Sequence, residues 1–380
     1  MPLPVDLALP QYEGGCLTNV VPELLKSPGA RSATWLPAPA RHAQQVVLFV
    51  LDGLGWHQLL ARPHVAPFLS AMTGGPITSV APTTTATALS SIVLGCVPAD
   101  HGVVGYRLRV DGPDGGEHDD LVLNILRWRT ALGDARELVP PGEFQTRPAF
   151  CGRDTPVVTK AEFASTGFTS AQGLHRLHGW ETASGIAVEV AAQLTAGEPF
   201  VYAYYDGVDK IAHAHGFGPH YDAELAAADA LVADIAAVLP PGAALVVTSD
   251  HGQVEVGDRL VLLDEELLAD TMVVSGEGRF LWLHARAGRL EAVADRCRQL
   301  YEDTGLAVVR TRSQVIDDGW FGGPMAPAVA GRLGDVAIVA RQPVAFLDPS
   351  DLGSAGLRCR HGSLTDDELA VPLVAVGSRA

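Results

Sequence analysis

The segment Gln45–Leu51 reads QVVLFVL, an uninterrupted apolar run that leads directly into the turn DGLG, which begins at Asp52. Such a run is typical of a strand buried on both faces of a sheet, because a strand with one solvated face alternates apolar and polar residues. Ala244–Thr248 repeats the arrangement and leads into SDHG, beginning at Ser249. Strands of this kind need covering layers on both sides, so the chain is confined to folds with a central sheet.

Further segments place helices between such strands. Phe200–Tyr205 predicts another strand, and Val371–Val376 predicts the last one. Thr85–Leu94 predicts a helix that ends at a glycine, and Tyr221–Leu239 carries the apolar stripe of an amphipathic helix. This alternation predicts an α/β fold, a mainly parallel sheet with helices on both faces. In such folds ligands bind beyond the carboxyl ends of the strands.

The predicted domain organisation has one large unit with additions. Residues 1–44 are rich in Pro and Gly and are expected to form an N-terminal wrap, and residues 45–380 are expected to form the main domain. Residues 256–345 predict a small α+β insertion, and residues 106–180 a less regular cover over the site. Within the insertion the predicted elements are three strands and one helix: Arg279–His284, Leu306–Arg310, Asp335–Ala340 and Leu290–Tyr301.

The composition indicates which kinds of binding partner and which cellular compartment are expected. A formal net charge of −17 disfavours binding to nucleic-acid polymers. No apolar run is long enough for a membrane-spanning helix, and Met1–Pro10 lacks the features of a signal peptide. The five cysteines are an odd number without CxxC spacing, which favours free thiols in the cytoplasm. The oligomeric state is left open.

Carboxylates and imidazoles recur at spacings suited to metal binding. Asp209 and His213 are four residues apart, so on a helix they face the same direction. The candidate set has three residues of each type: Asp52, Asp209, Asp250, His213, His251 and His361. Mixed Asp and His ligands suit Zn²⁺, with Mn²⁺ as the alternative. With one nucleophile oxygen, the set is large enough for two divalent ions roughly 3.5–4 Å apart.

A run of hydroxyl residues precedes the first predicted helix of the core. The letters PTTT end at Thr85, where backbone N–H groups and the positive end of the helix dipole favour an anion. A threonine hydroxyl coordinated to a divalent ion is converted more readily to a nucleophilic alkoxide. Taken singly, such a run is most often only a helix N-cap, and a DxxxH pair is usually a surface pair.

The motifs taken in order resemble one family. VVLFVLDGLG, APTTTATALSSIVLG followed by PADHGVVGY, YYDGVDKIAHAHG, VTSDHG and RHGSL are similar, over residues 45–376, to nucleotide pyrophosphatase/phosphodiesterases (type I phosphodiesterases) of the alkaline-phosphatase superfamily. The resemblance implies Thr85 as nucleophile, because its spacing to Gly95 matches that of the family. It also implies two zinc sites, one formed by Asp209, His213 and His361, the other by Asp52, Thr85, Asp250 and His251. A sulfatase is disfavoured because no CxPxR-type motif is present.

One position departs from that family's pattern. The family usually has an Asn after its HG motif that helps to bind a phosphate oxygen, and Tyr106 stands near that position here. A tyrosine hydroxyl can donate the same hydrogen bond, and the neighbouring Arg107 could contact phosphate with two N–H groups. We therefore predict substrate-binding roles for Tyr106 and Arg107, and the preference between diesters and monoesters stays open.

The resemblance implies a metal-dependent phosphodiesterase or nucleotide pyrophosphatase that acts through a phospho-threonine intermediate. The expected partner is a small phosphorylated substrate, with nucleotides among the candidates. A phosphomonoesterase or phosphonate hydrolase of the same superfamily is the close alternative. A phosphomutase would need a cover that keeps water out during transfer, and the insertion lacks Lys for a sugar-phosphate clamp. A non-catalytic metal-binding protein fits poorly with a complete ligand set and Thr85.

Overall fold

A computed structural model describes residues 7–113, 120–349 and 352–378 of the 380-residue chain. The strands, in chain order, are β1 (Gln45–Leu51), β2 (Thr73–Thr78), β3 (Arg107–Asp111), β4 (Asp120–Asn124), β5 (Arg129–Thr130), β6 (Gly133–Asp134), β7 (Val157–Lys160), β8 (Leu177–Trp180), β9 (Phe200–Tyr205), β10 (Ala243–Thr248), β11 (Val254–Glu255), β12 (Leu260–Leu262), β13 (Thr271–Glu277), β14 (Phe280–Ala285), β15 (Ala307–Thr311), β16 (Val336–Ala340), β17 (Ala345–Leu347), β18 (Cys359–Arg360) and β19 (Ala370–Gly377).

Helices connect and cover these strands. In chain order they are α1 (Leu17–Leu24), α2 (Ala38–Arg41), α3 (Trp56–Leu60), α4 (Pro67–Ala71), α5 (Thr85–Leu94), α6 (Pro98–His101), α7 (Pro141–Phe144), α8 (Gly167–Ala171), α9 (Gly185–Thr195), α10 (Gly207–His215), α11 (Pro219–Ala237), α12 (Glu265–Ala269), α13 (Leu290–Cys297), α14 (Arg312–Asp317), α15 (Pro327–Ala330) and α16 (Asp366–Leu369). Within the described ranges, none of the helices combines the length and the apolar character needed to cross a membrane.

The main sheet has seven strands in the order β2-β19-β10-β1-β9-β7-β8. The five strands β10, β1, β9, β7 and β8 all run parallel to one another, whereas β19 runs antiparallel to both β10 and β2. Parallel strands joined through helices place helical layers on both faces of the sheet. The predicted α/β fold class is therefore confirmed.

The central strand β1 explains why this arrangement is stable. Val46, Leu48 and Val50 pack into a hydrophobic core on one face of the sheet, and the alternate residues Val47 and Phe49 pack into a second core on the other face. All five are fully buried. Burying a side chain of this size contributes about 1.5–3 kcal/mol relative to exposure, so the six buried apolar residues from Val46 to Leu51 strongly favour the central position.

Several predicted elements agree closely with the observed ones. The helix Thr85–Leu94 and the strand Phe200–Tyr205 have the predicted bounds, and β10 begins one residue before the predicted strand, at Ala243. The predicted helix Tyr221–Leu239 is observed as Pro219–Ala237, because Pro219 is well suited to the first turn of a helix. These elements were predictable because their apolar pattern or their terminal residues are unambiguous.

A separate four-stranded sheet lies between β10 and β19 in the chain. Its order is β13-β14-β16-β15, with all neighbours antiparallel, and a third hydrophobic core packs against it. Strand β13 was not predicted, since it contains Gly276 and ends in an acidic residue. The predicted helix Leu290–Tyr301 continues past Cys297 as a π-helical turn, Arg298–Glu302. The boundaries 45–380 and 256–345 stay predictions.

The segment 106–180 is more regular than expected. Strands β3 to β6 form an antiparallel sheet of their own, whereas β7 and β8 extend the main sheet beyond β9. Part of the predicted cover therefore belongs to the main sheet. Strand β7 was not predicted because it is only four residues long and ends in a lysine, Lys160, so it lacks a recognisable apolar run. Residues 1–6 of the predicted N-terminal wrap lie outside the described ranges. Within residues 7–44, α1 packs against α5.

Candidate metal centre

The candidate ligands meet at the edge where parallel strands end. Asp52 follows β1, and Asp250 follows the neighbouring strand β10. Asp209 lies on α10, which begins two residues after β9, the other neighbour of β1. His361 comes directly after the short strand β18. The order of the central strands thus brings together residues that are more than 300 positions apart in sequence.

The three histidines present the same ring nitrogen to the site. Nδ1 of His213, His251 and His361 lies 2.7, 3.1 and 2.9 Å, respectively, from a backbone carbonyl oxygen. A carbonyl oxygen only accepts hydrogen bonds, so Nδ1 carries the hydrogen and donates it in each ring. In the neutral imidazole Nε2 then carries a lone pair, the arrangement found in metal-bound histidines.

The Nε2 atoms of His213 and His251 also lie close to carboxylate oxygens. His213 Nε2 lies 3.2 Å from Asp209 Oδ1. His251 Nε2 lies 3.3 Å from Asp250 Oδ2 and 3.5 Å from Asp52 Oδ1. Those two oxygens of Asp52 and Asp250 are buried and have no hydrogen-bond partner in the described part of the chain. Acceptors in such contact repel one another unless a cation or a proton lies between them, so the residues fit divalent metal ions.

Two overlapping groups have ligand atoms that all lie within 4.8 Å of one another. One is Asp209, His213 and His361, and the other is Asp52, Asp209 and His251. The second group contains Asp209, whereas the family resemblance implied Asp250 at that site. Asp250 Oδ1 accepts hydrogen bonds from the backbone N–H groups of Gly53 and His251, both 3.0 Å long, so only its Oδ2 faces the ligands.

The two groups are in direct contact. The rings of His251 and His361 stack with their centroids 3.6 Å apart and an angle of 15° between their planes. Asp209 belongs to both groups. This spacing is compatible with two ions roughly 3.5–4 Å apart.

Thr85 reaches the same point from α5. It is the first residue of the helix, and its Oγ1 lies 3.1 Å from His251 Nε2, to which the hydroxyl donates. The preceding threonines make different contacts. Thr83 Oγ1 donates to the Ser363 carbonyl at 2.7 Å, and the Thr83 carbonyl accepts from His361 Nδ1. Of the hydroxyls of Thr83 and Thr85, only that of Thr85 is therefore directed at the ligand cluster.

The site brings several carboxyl groups and imidazoles together in a buried cluster, and this changes the pKa values of some of them. Burial raises the pKa of Asp52 well above its usual value, and the charges of Asp250 and Asp209 raise it further. Burial likewise raises the pKa of Asp209. The pKa of His361 is lowered well below its usual value by burial and by the neighbouring His251 and His213. The protein without cations therefore favours the neutral forms of these groups, and positive ions would relieve the repulsion between the carboxylates.

Gly53 shows how closely the ligand segments approach one another. Its backbone has φ +75°, and a Cβ atom there would lie 2.5 Å from Gln253 Nε2 and 2.8 Å from Asp209 Cβ. Both distances are shorter than real contacts, so only glycine fits. The turn after β1 thereby lets α10 come close to Asp52.

Comparison with known proteins identifies the family. The sequence model for type I phosphodiesterases / nucleotide pyrophosphatases matches residues 46–364. The chain belongs to this family. It is therefore an enzyme that hydrolyses phosphoester bonds, and the superfamily to which the family belongs is metal-dependent. No curated protein sequence matches the chain.

Solved structures show the same fold. Murine ectonucleotide pyrophosphatase / phosphodiesterase 5 has a TM-score of 0.60 at 17% identity, with 88% of each chain covered. An inactive threonine-to-alanine variant of that murine protein, in complex with AMP, has the same values. Phosphonoacetate hydrolase from Sinorhizobium meliloti 1021, in complex with phosphonoformate, has a TM-score of 0.61 at 17% identity, with 89% of this chain and 91% of that chain covered.

In this type I phosphodiesterase, sequence reasoning missed three residues that support the ligands. Gln253 Nε2 donates to Asp209 Oδ1 at 2.9 Å, and the Tyr204 hydroxyl donates to Asp52 Oδ2. Glu277 Oε2 lies 3.7 Å from His361 Nδ1. Gln253 could have been suspected because it directly follows the SDHG motif. Tyr204 is hidden inside a strand, and Glu277 ends the strand that was not predicted.

The predicted substrate-binding residues lie on a different element. Arg107 begins β3, and Tyr106 immediately precedes it. The Tyr106 hydroxyl accepts a hydrogen bond from Asn124 Nδ2 at 2.6 Å, across the β3-β4 pair. Its own hydrogen therefore remains available to another acceptor. The roles of both residues in substrate binding stay predictions.

Proposed function

We propose that this enzyme is a two-metal phosphodiesterase or nucleotide pyrophosphatase with Thr85 as its nucleophile. The observation that carries the proposal is the 3.1 Å distance from Thr85 Oγ1 to His251 Nε2. It puts a helix-terminal hydroxyl beside an imidazole nitrogen that lies close to two buried carboxylate oxygens, Asp52 Oδ1 and Asp250 Oδ2, which have no hydrogen-bond partner among the described residues. Such a hydroxyl is a nucleophile only when it is activated, and this cluster offers the means.

The chain's own residues would hold two ions. Asp209, His213 and His361 form one group, and Asp52, Asp250 and His251 surround Thr85 in the other. Bound divalent ions would favour the threonine alkoxide and neutralise charge on the phosphoryl oxygens. We propose Zn²⁺ because the ligands combine carboxylates with imidazoles, with Mn²⁺ as the alternative.

The chemistry proceeds in two displacements at phosphorus. Thr85 Oγ1 loses its proton to solvent water and attacks phosphorus, so an O–P bond forms while the bond to the leaving group breaks and the leaving group departs with the bonding electron pair. The phosphoryl group, with its remaining substituent, is then an ester of Thr85. Water attacks the same phosphorus from the side of the departed group, restores the Thr85 hydroxyl and releases the product. The N-terminus of α5 favours the negative phosphoryl group throughout.

We propose nucleotide pyrophosphates or nucleoside phosphodiesters as substrates. The family match supports this class, and so does the murine neighbour, whose inactive threonine-to-alanine variant was solved with AMP. Tyr106, with its hydroxyl oriented by Asn124, is proposed to donate to a phosphate oxygen. Arg107 is proposed to contact the same group. The cytoplasmic location predicted from the cysteines and the N-terminal sequence also remains a proposal.

Phosphonate hydrolysis is the second candidate. The phosphonoacetate hydrolase in complex with phosphonoformate is as similar in fold to this chain as the murine nucleotide enzyme is, with TM-scores of 0.61 and 0.60. Both reactions would use the same nucleophile and the same metal ligands. They differ in the bond that is broken, P–O in one and P–C in the other.

A hydrolysis panel separates these candidates. Metal-loaded protein is assayed with a bis-aryl phosphodiester, an aryl phosphomonoester, an aryl phosphonate, phosphonoacetate and a nucleotide pyrophosphate. The proposal expects the highest kcat/KM for the diester or the nucleotide pyrophosphate. Phosphonoacetate as the best substrate would favour the second candidate. Turnover of none of them by fully loaded protein would contradict both.

A further inference from the structure

A cavity of about 180 Å³ lies where β1 and β9 begin, at the opposite edge of the main sheet from the metal centre. Its wall contains three cationic side chains, Lys26, Arg31 and Arg153. Gln44 and the buried Phe200 are among the other residues that line it. Three cations around one small cavity are unexpected in a chain with a net charge of −17.

Backbone carbonyl groups hold the guanidinium of Arg31 in place through two of its three nitrogens. The side chain is buried, with 6% of its surface exposed. Its Nε donates to the carbonyl of Lys26 at 3.2 Å, and its Nη1 donates to those of Ala40 and Ala43 at 2.7 and 2.9 Å. Nη2 makes no hydrogen bond within the described residues. A rigidly held guanidinium with a free donor edge is preorganised for an anion.

Arg153 supplies a second guanidinium at the same cavity. Its Nη2 donates to the Leu25 carbonyl at 2.6 Å, and it has no carboxylate partner in the ranges that the structure describes. Its charge is close enough to lower the pKa of Arg31, in addition to the larger effect of burial. Both guanidinium groups therefore line the same small cavity.

The nearby acidic group Glu23 compensates only part of this positive charge: its carboxylate raises the pKa of Arg31 more than Arg153 lowers it, although burial lowers that pKa overall. Glu23 contacts Lys26 and accepts from the backbone N–H groups of Ser32 and Ala33 at 2.7 and 3.0 Å. Its carboxylate is thus engaged on Lys26 and the backbone. The four charged groups, three positive and one negative, leave a local charge of +2.

We propose that this cavity binds a small tetrahedral oxyanion of the phosphate class between Arg31 and Arg153. Guanidinium groups bind such anions with paired N–H donors at fixed angles. The volume is below the roughly 300–1,000 Å³ of sites for drug-sized ligands, so it suits a compact ion. The site is separate from the metal centre, and the inference does not depend on the proposed function.

Protection from chemical modification tests the position of the ion directly. Phenylglyoxal modifies exposed arginines, and mass spectrometry of peptides reports the modification of each one. In wild-type enzyme, inorganic phosphate should reduce the labelling rate of Arg153 at least about fivefold relative to sodium chloride at equal ionic strength. Arg289, with 51% of its side chain exposed and an ion pair to Asp270, is the control whose ratio should not change. An unchanged rate at Arg153 would overturn the proposal.

Calorimetric titration with inorganic phosphate provides a second test. Arg153→Gln keeps a donor for the Leu25 carbonyl but removes the charge, whereas Arg289→Gln removes one positive charge elsewhere. Arg153→Gln should weaken one class of phosphate site at least about tenfold, equivalent to about 1.4 kcal/mol. Arg289→Gln should bind phosphate as the wild type does. Identical isotherms for all three proteins would contradict an oxyanion site at this cavity, whatever substrate the enzyme turns over.

Discussion

Thr85 Oγ1 and His251 Nε2 lie 3.1 Å apart although 166 residues separate them in the sequence. Thr85 begins α5, and His251 ends the turn that follows β10. Because His251 Nδ1 donates to the Gly252 carbonyl, Nε2 is an acceptor and holds the Thr85 hydroxyl in one direction. The contact therefore places the hydroxyl beside a nitrogen that also lies 3.5 Å from Asp52 Oδ1 and 3.3 Å from Asp250 Oδ2.

Loss of ligands should reduce the metal content stepwise. Asp209 belongs to both ligand groups, so Asp209→Asn should lower the content from close to two divalent ions per chain toward one or fewer. His213→Ala, which affects one group alone, should leave close to one ion. Elemental analysis after dialysis measures both. Asp222 lies in the first turn of α11 and forms an ion pair with Arg62, so Asp222→Asn is a matched control that should keep the wild-type metal content.

Chelation should abolish hydrolysis in wild-type protein, and added Zn²⁺ or Mn²⁺ should restore it. Purified protein that contains no divalent ion and hydrolyses substrate at the same rate with and without chelator would refute metal dependence. The ion that restores the highest kcat also identifies the preferred metal.

A buried ion pair should stabilise the segment that carries His361. Arg279 donates two hydrogen bonds of 2.8 Å to Glu368, and both side chains are at most 1% exposed. Glu368 Oε1 also accepts from the backbone of Ser363, two residues after His361. Arg279→Met would leave a buried carboxylate without its partner, so the free energy of unfolding should fall by about 3–5 kcal/mol.

Urea denaturation measures that loss, and a double variant provides the control. Arg279→Met combined with Glu368→Gln removes the uncompensated charge, so it should regain part of the lost stability. The single variant Glu368→Gln measures the effect of the second substitution alone. If the stability losses of the two single variants simply add in the double variant, the two residues act independently.

A buried histidine should make stability depend on pH. Burial lowers the pKa of His284 from 6.5 to about 3, and the ring shares a 2.9 Å hydrogen bond with Ser275. The unfolded chain therefore binds more protons between pH 6.5 and 3, and the folded state loses stability as pH falls through that window. At pH 5 the loss from this one group is about 2 kcal/mol.

The variant His284→Gln removes this titration. The difference in unfolding free energy between pH 7 and pH 5 should be smaller in His284→Gln than in wild type by about 2 kcal/mol. Other titrating groups contribute equally to both proteins, so the comparison isolates His284. Equal pH dependence in the two proteins would show that the folded protein admits the charged ring.

Selectivity between esters should depend on Tyr106 and Arg107. A monoester dianion needs more positive charge around its oxygens than a diester does. We expect diesters to have the higher kcat/KM, and Tyr106→Phe to lower kcat/KM for them by about tenfold, since one hydrogen bond to a charged group is lost. Steady-state kinetics of wild type, Tyr106→Phe and Arg107→Ala provide the comparison. A wild-type preference for monoesters that disappears in Arg107→Ala would show that Arg107 binds the dianion.

The accuracy of the sequence-based predictions followed the strength of local patterns. Strand β1 was predictable because a continuous apolar run is typical of a strand buried on both faces. Helix α5 was predictable because a glycine, Gly95, marks its C-terminal end. The structure brings the predicted ligand residues together because each lies beside a strand end or on a helical turn, and their role as metal ligands stays a prediction. Glu277, Tyr204 and Gln253 were not found, because their contacts depend on how distant segments pack. The cavity lined by Arg31 and Arg153 could not be predicted for the same reason, because these two residues are more than 100 positions apart in the sequence.

The central claim is that Thr85 is the nucleophile, and covalent capture tests it most directly. Metal-loaded wild type and Thr84→Ala are mixed with an aryl phosphodiester and quenched in acid, and peptide mass spectrometry locates any phosphoryl adduct. We predict an adduct on Thr85 in both proteins. Thr85→Ala should have no adduct and at least ~10³-fold lower kcat, with unchanged fold and nearly unchanged metal content. An adduct on another residue, or activity of Thr85→Ala within threefold of wild type, would contradict the account.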